Sequence, residues 1–128
     1  MITQLIVSGI INMPDEKLIV EVLIRCWSKK SSDVWNENNP AKGQCGVTAL
    51  VINKLFGGEI LKTKLQNGQL HFYNFINGQR FDFTSSQFES KINYDDLPSN
   101  REEAFGDTTE EQYRYLLKIF SINYPSEI

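Results

Sequence analysis

One histidine, His71, and two cysteines, Cys26 and Cys45, are all that this chain of 128 residues offers as imidazole or thiol ligands, and their spacing matches no zinc site. Two thiols are also too few for a disulfide scaffold and fit a reducing, cytoplasmic setting. Basic runs are equally scarce. Lys29-Lys30 is the densest cluster in a chain of net charge -3, which argues against nucleic acid as a partner. The longest apolar stretch, Leu5 to Ile11, is interrupted by Ser8 and Gly9. It is too short to span a bilayer and lacks the basic flank of a signal peptide, so no membrane association is expected. There is no Walker loop, Rossmann glycine fingerprint, internal repeat or low-complexity tract, and no cofactor or metal is implied. What remains is one domain over residues 1–128, whose 41% hydrophobic content suffices for a single core.

Turn and cap signals divide the chain. Residues 1–12 read as a short strand or an irregular arm. Pro14-Asp15-Glu16 opens a helix that runs to about Ser28, with Leu18, Ile19, Val22, Leu23 and Cys26 on its apolar stripe. A polar loop carrying Trp35 leads to a second helix from Gln44 to Phe56, closed by Gly57-Gly58. Strands are expected at Glu59 to Thr63, Leu70 to Ile76 and Gln79 to Thr84, the last two joined at Asn77-Gly78, the strongest hairpin signal in the chain. Residues 85–106 read as irregular, and a final helix spans about Thr108 to Ile122. Helices, then an antiparallel sheet, then a closing helix indicate an α+β fold.

The chemistry gathers around Cys45. In Asn39-Pro40-Ala41-Lys42-Gly43-Gln44-Cys45-Gly46-Val47-Thr48-Ala49-Leu50, Pro40 and Gly43 break regular structure just before the second helix. A thiol on the first turn of a helix meets free backbone N–H groups and the positive end of the dipole, both of which favour thiolate. Cys26, on an apolar stripe, reads as a packing thiol. A two-residue turn at Asn77-Gly78 places Thr84 opposite His71 and Asp82 opposite Tyr73. His71 and Asp82 are then diagonal neighbours on one face, roughly 7–8 Å apart at the backbone. Phe72, Phe81 and Phe83 share the other, core-facing side. A slip of one residue would destroy this arrangement. Cys45, His71 and Asp82 thus supply a nucleophile, a base and an orienting carboxylate. The Cys45 backbone N–H is a natural oxyanion donor, and the side chains of Gln44, Asn39 or Trp35 are candidates for the second. Tyr73 and Trp35 read as cleft walls or as packing residues.

These residues resemble known families. A Gly43-Gln44-Cys45 helix start, followed by His71 and Asp82 on successive strands, is similar to the papain-like and transglutaminase-like superfamily. A more specific resemblance is to the YunG-like bacterial family. It is carried by Trp27-Ser28, Ser32 with Trp35, the run from Asn39 to Leu50, Phe56 to Leu61, His71 to Asn74 and Asp82 to Phe88, and covers roughly residues 15–122. The superfamily resemblance implies acyl transfer at a cysteine, whereas the YunG-like family brings no assigned substrate. Asn39 stands where papain-like peptidases usually carry a glutamine, and Gly46 where transglutaminases commonly carry an aromatic.

The expectation is a papain-like α+β domain: N-terminal helices packed on a small antiparallel sheet, with a closing C-terminal helix. It would act as a cysteine amidohydrolase, peptidase or acyltransferase on a small amide, peptide or protein substrate. The alternative is an inactive binding or regulatory module of immunity type.

Overall fold

A computed structural model describes residues 14–125, so the strand or arm expected over residues 1–12 lies outside the described residues. Helix α1 covers Glu16–Cys26, and the Asp15 side chain caps it by accepting from the Leu18 backbone N–H at 3.2 Å. Its buried residues are Ile19, Val22, Leu23 and Cys26, the i, i+3, i+4, i+7 pattern of one helical face. Helix α2, Cys45–Phe56, differs in kind: every residue from Cys45 to Ile52 is buried. A helix apolar all round belongs at the centre of a fold, and α2 packs against both the sheet and the closing helices.

The sheet comprises β1 (Glu59–Lys64), β2 (Leu70–Ile76), β3 (Gln79–Phe81) and β4 (Leu97–Pro98), in the order β3-β2-β1-β4 with every neighbour antiparallel. Asn77 and Gly78 both adopt positive φ, 51° and 79°, the geometry a two-residue primed turn demands. The register is the one that turn predicts: Asn74 pairs with Phe81, Phe75 with Arg80 and Ile76 with Gln79. Phe72, Ile76, Phe81 and Phe83 are buried in the core, and the Asn74 side chain donates to the Ala49 carbonyl at 3.0 Å, fastening sheet to helix.

Strand β3 ends three residues earlier than expected. Asp82 is the reason, because its Oδ1 accepts from the Thr84 backbone N–H at 3.2 Å. This local turn withdraws the backbone from the ladder and leads into a 3-10 turn at Ser85–Gln87. The segment expected to be irregular contains β4 and a short helix, α3 (Arg101–Phe105), capped by the Asn100 side chain on the Glu103 N–H at 2.8 Å. Between the 3-10 turn and β4, residues 88–96 cover the outer face of the sheet. Phe88 sets its ring edge-on to His71 at 5.0 Å, and Tyr94 does the same to Tyr73 at 4.9 Å.

Helix α4, Glu110–Asn123, buries Tyr113, Leu116 and Phe120 and packs against α1 and α2. The architecture of the described residues is therefore α+β with a four-stranded antiparallel sheet. One expectation needs correction: α2 alone among the two N-terminal helices packs extensively on the sheet, while α1 packs chiefly against α4. The long buried face of α2 already fills the inner side of β2. No helix among the described residues is long and apolar enough to cross a membrane.

Candidate functional site

The loop before α2 is built to deliver Cys45. Gly43 has φ +73°, and a Cβ there would lie 2.5 Å from both Ser32 Oγ and Val34 Cγ2, so only glycine fits. The Ser32 hydroxyl donates to the Lys42 carbonyl at 3.3 Å, and the Gln44 N–H donates to the Ala41 carbonyl at 3.1 Å. Behind the loop the Trp27 indole N–H donates to Thr48 Oγ1 at 2.9 Å, tying the end of α1 to α2. Cys45 becomes the first residue of α2, with 8% of its surface exposed.

His71 and Asp82 meet just beyond the paired part of the hairpin, which ends at Asn74 and Phe81, so the expected Thr84–His71 and Asp82–Tyr73 strand pairs are not formed. His71 Nε2 lies 2.7 Å from Asp82 Oδ2, and both side chains are almost wholly buried. The carboxylate is saturated with donors. Tyr94 donates its hydroxyl to Oδ2 at 2.8 Å, while Thr84 donates its backbone N–H and its hydroxyl to Oδ1 at 3.2 and 3.3 Å. Burial, foremost, and then the Asp82 carboxylate raise the Tyr94 phenol, which keeps it a donor. A carboxylate so surrounded accepts the Nε2 proton, leaving Nδ1 as the nitrogen with the lone pair. His71 Nδ1 is buried and has no hydrogen-bond partner among the described residues.

A second acid completes the site. Asp107, just beyond α3, accepts from the Cys45 thiol at 3.4 Å and from the Gly46 backbone N–H at 3.0 Å, both at Oδ2. Asp107 is exposed as a residue, with this carboxylate oxygen turned inward. Gly46 makes the approach possible: a Cβ there would lie 2.5 Å from Asp107 Oδ2 and 3.0 Å from the Ala104 carbonyl. The expectation of a thiol tuned toward thiolate by the helix start is thereby corrected. Burial, foremost, and then the Asp107 charge push the Cys45 thiol well above its ordinary value, outweighing the favourable backbone hydrogen bond from Phe72. Asp107 is itself raised by burial, against the lowering effects of Cys45, Gly46 and His71.

Cys45, His71 and Asp107 line one cavity of about 860 Å³, together with Asn39, Gln87 and Phe88. Of the residues singled out in the sequence, Cys45, His71 and Asn39 reach this cavity, and Asp82 stands behind His71. Trp35, Gln44 and Tyr73 are not among its lining residues. Trp35 packs against the core. Gln44 is fully buried, with neither side-chain amide atom hydrogen-bonded among the described residues. Tyr73 points its hydroxyl to Asp96 at 3.0 Å, and the Asp96 N–H donates back at 2.8 Å, so it anchors the covering loop. Asp107, Tyr94 and Gln87 were not singled out. Gln87 accepts from the Gly43 N–H at 3.3 Å, and its carbonyl accepts from the Asn39 side chain at 3.2 Å, joining the loop before Cys45 to the turn after Asp82. Gly46, a side-chain-free position on the first turn of an apolar helix, is the one signal of Asp107 in the sequence.

The fold and the site together define an α+β domain that presents a helix-start cysteine and an aspartate-held histidine to a shared cavity. The chain belongs to the YunG family, whose model ("YunG protein") matches residues 15–123. It is 55% identical over 100 residues to "Uncharacterized protein YunG" of Bacillus subtilis (strain 168), covering 78% of this chain and 86% of that relative. No solved structure matches the chain.

Proposed function

We propose that the domain is a cysteine-dependent amidohydrolase or acyltransferase with a papain-like or transglutaminase-like arrangement of its site. The observation that carries this reading is the His71–Asp82 contact, with His71 and Cys45 lining one cavity and His71 Nδ1 without a hydrogen-bond partner among the described residues. The Cys45 S–H proton passes to His71 Nδ1, and the sulfur attacks an amide carbonyl carbon. The tetrahedral oxyanion collapses, the C–N bond breaks, and the amine leaves with the proton returned by His71. Water or a second amine then attacks the thioester, losing a proton to His71, and the thiol is restored. The first oxyanion donor is the Cys45 backbone N–H, which has no preceding turn to bond to. Asn39 is the better second donor, since it lines the cavity and its amide has one N–H beyond that given to Gln87. A cavity of about 860 Å³ suits a small amide or one side chain of a larger substrate.

The test is iodoacetamide alkylation of Cys45 followed across pH, in wild type and in His71→Ala. Slower labelling in the variant supports proton transfer to His71, and identical pH–rate profiles would reject it. One observation favours a second reading, an inactive binding or regulatory module: the thiol at rest is hydrogen-bonded to Asp107 and held protonated. In that case labelling is slow at every pH and independent of His71.

A further inference from the structure

We infer that Asp107 is the recognition group for a cationic N–H donor, a primary ammonium or guanidinium, carried by the ligand of this cavity, and that engaging it releases the Cys45 thiol. The inference deepens the proposed hydrolase or transferase reading by naming a feature of the substrate. Asp107 spends one carboxylate oxygen on two donors, the Cys45 thiol and the Gly46 N–H, and its Oδ1 has no hydrogen-bond partner among the described residues. The residue is exposed and lines the same cavity as buried His71, whose Nδ1 has no hydrogen-bond partner among the described residues. An acceptor with a free oxygen beside a nucleophile suits a cation better than a neutral amide, because charge-assisted hydrogen bonds are roughly twice as strong as neutral ones.

The other charged side chains lining the cavity do not take this role. Glu103 is committed to Lys62 at 2.7 Å and to the Ser99 hydroxyl at 2.7 Å, and Lys42 carries the opposite sign. A cation at Asp107 does two things to Cys45. It competes with the thiol for Oδ2, and it offsets the negative charge that disfavours thiolate. Ligand binding and nucleophile release are thus one event, and in the free protein the thiol stays protected.

The experiment titrates the full chain with Nα-acetyl-lysine methylamide, following the Gly46 amide resonance by nitrogen–proton correlation spectroscopy. The neutral Nε-acetylated analogue and sodium chloride at matched ionic strength serve as controls. A saturable Gly46 shift with the cation alone, lost in Asp107→Asn and retained in Cys45→Ala, is the expected result. No saturable shift, or the same shift in Asp107→Asn or with the neutral analogue, overturns the site. A second arm measures iodoacetamide alkylation of Cys45 with the cation present. Acceleration in wild type that disappears in Asp107→Asn is expected, and unchanged or slower alkylation overturns the release. Neither arm depends on His71, so its failure is distinguishable from that of the hydrolase reading, which rests on the His71→Ala comparison.

Discussion

His71 Nε2 and Asp82 Oδ2 lie 2.7 Å apart in a pocket where both side chains are nearly inaccessible, and Tyr94 and Thr84 occupy the remaining acceptor positions of the carboxylate. The pair fixes which imidazole nitrogen carries the proton. In Asp82→Asn the amide NH₂ is free to donate to Nε2, which moves the proton to Nδ1 and removes the lone pair there. Nitrogen chemical shifts of His71 should report the changed tautomer, and any acyl-transfer rate should fall by about a hundredfold, the usual scale of a general base. Asp82→Ala should also destabilise the fold by about 2–4 kcal/mol in denaturant melts, because it strands the donors on His71, Tyr94 and Thr84.

Asp107→Asn keeps an acceptor for the Gly46 N–H while removing the charge that raises the thiol. Cys45 should alkylate faster at a fixed pH. A fall of one pKa unit raises the thiolate fraction about tenfold and lowers its intrinsic nucleophilicity about threefold, for a net gain of about threefold. Burial, the larger cause, remains, so the thiol should stay above the free value of about 8.5. Timed alkylation with peptide mass spectrometry, which separates Cys45 from Cys26, checks this.

Gly46→Ala introduces a Cβ within 2.5 Å of Asp107 Oδ2 and 2.7 Å of its Cβ. Overpacking of this kind costs about 1–3 kcal/mol. Much of the obstruction belongs to the Asp107 side chain, so adding Asp107→Gly should recover part of the loss. The double variant should be less destabilised than the sum of the singles, and a double-mutant cycle by urea denaturation measures the coupling.

Two acids should give pH dependences of opposite sign. Asp107 is held above its ordinary 3.8, chiefly by burial. A raised folded value means the folded chain grips the proton, so that stabilisation is complete below the ordinary value and is lost as pH rises through the folded value. Wild type should therefore lose stability relative to Asp107→Asn as pH rises from about 4. Asp96 is lowered from 3.8, chiefly by the Arg80 hydrogen bond. Its contribution is present above that value and is lost as pH falls through the folded one. The Arg80–Asp96 pair is about two-fifths exposed, so its share is at most about 1 kcal/mol. Thermal melts of wild type, Asp107→Asn and Asp96→Asn between pH 3 and 8 separate the two slopes.

Much of this site can be read from local signals. Asn77-Gly78 dictates a turn with positive φ at both residues, which sets the register and so brings Asp82 to His71. Glycine and proline punctuation places Cys45 at a helix start. The remainder depends on contacts between distant segments. Asp107 follows a five-residue helix that is too short for periodicity to reveal, and it reaches Cys45 across 62 positions of sequence. Tyr94 lies in a loop whose path over the sheet is set by Phe88, Tyr73 and Asp96 rather than by any pattern of its own. Helix-start electrostatics predict an acidic thiol, yet burial, the Asp107 carboxylate and, less, Asp82 outweigh the dipole, whose effect is about 0.3–1 kcal/mol at exposed sites.

The central claim is acyl chemistry at Cys45 with His71 as base, and p-nitrophenyl acetate tests it most directly. Mass spectrometry of wild type should show acetyl transferred to Cys45, with release of p-nitrophenol. Transfer to that position should vanish in Cys45→Ala and be at least about tenfold slower in His71→Ala. Equal rates of Cys45 acetylation in wild type and His71→Ala, or acetylation confined to other residues, would contradict the account.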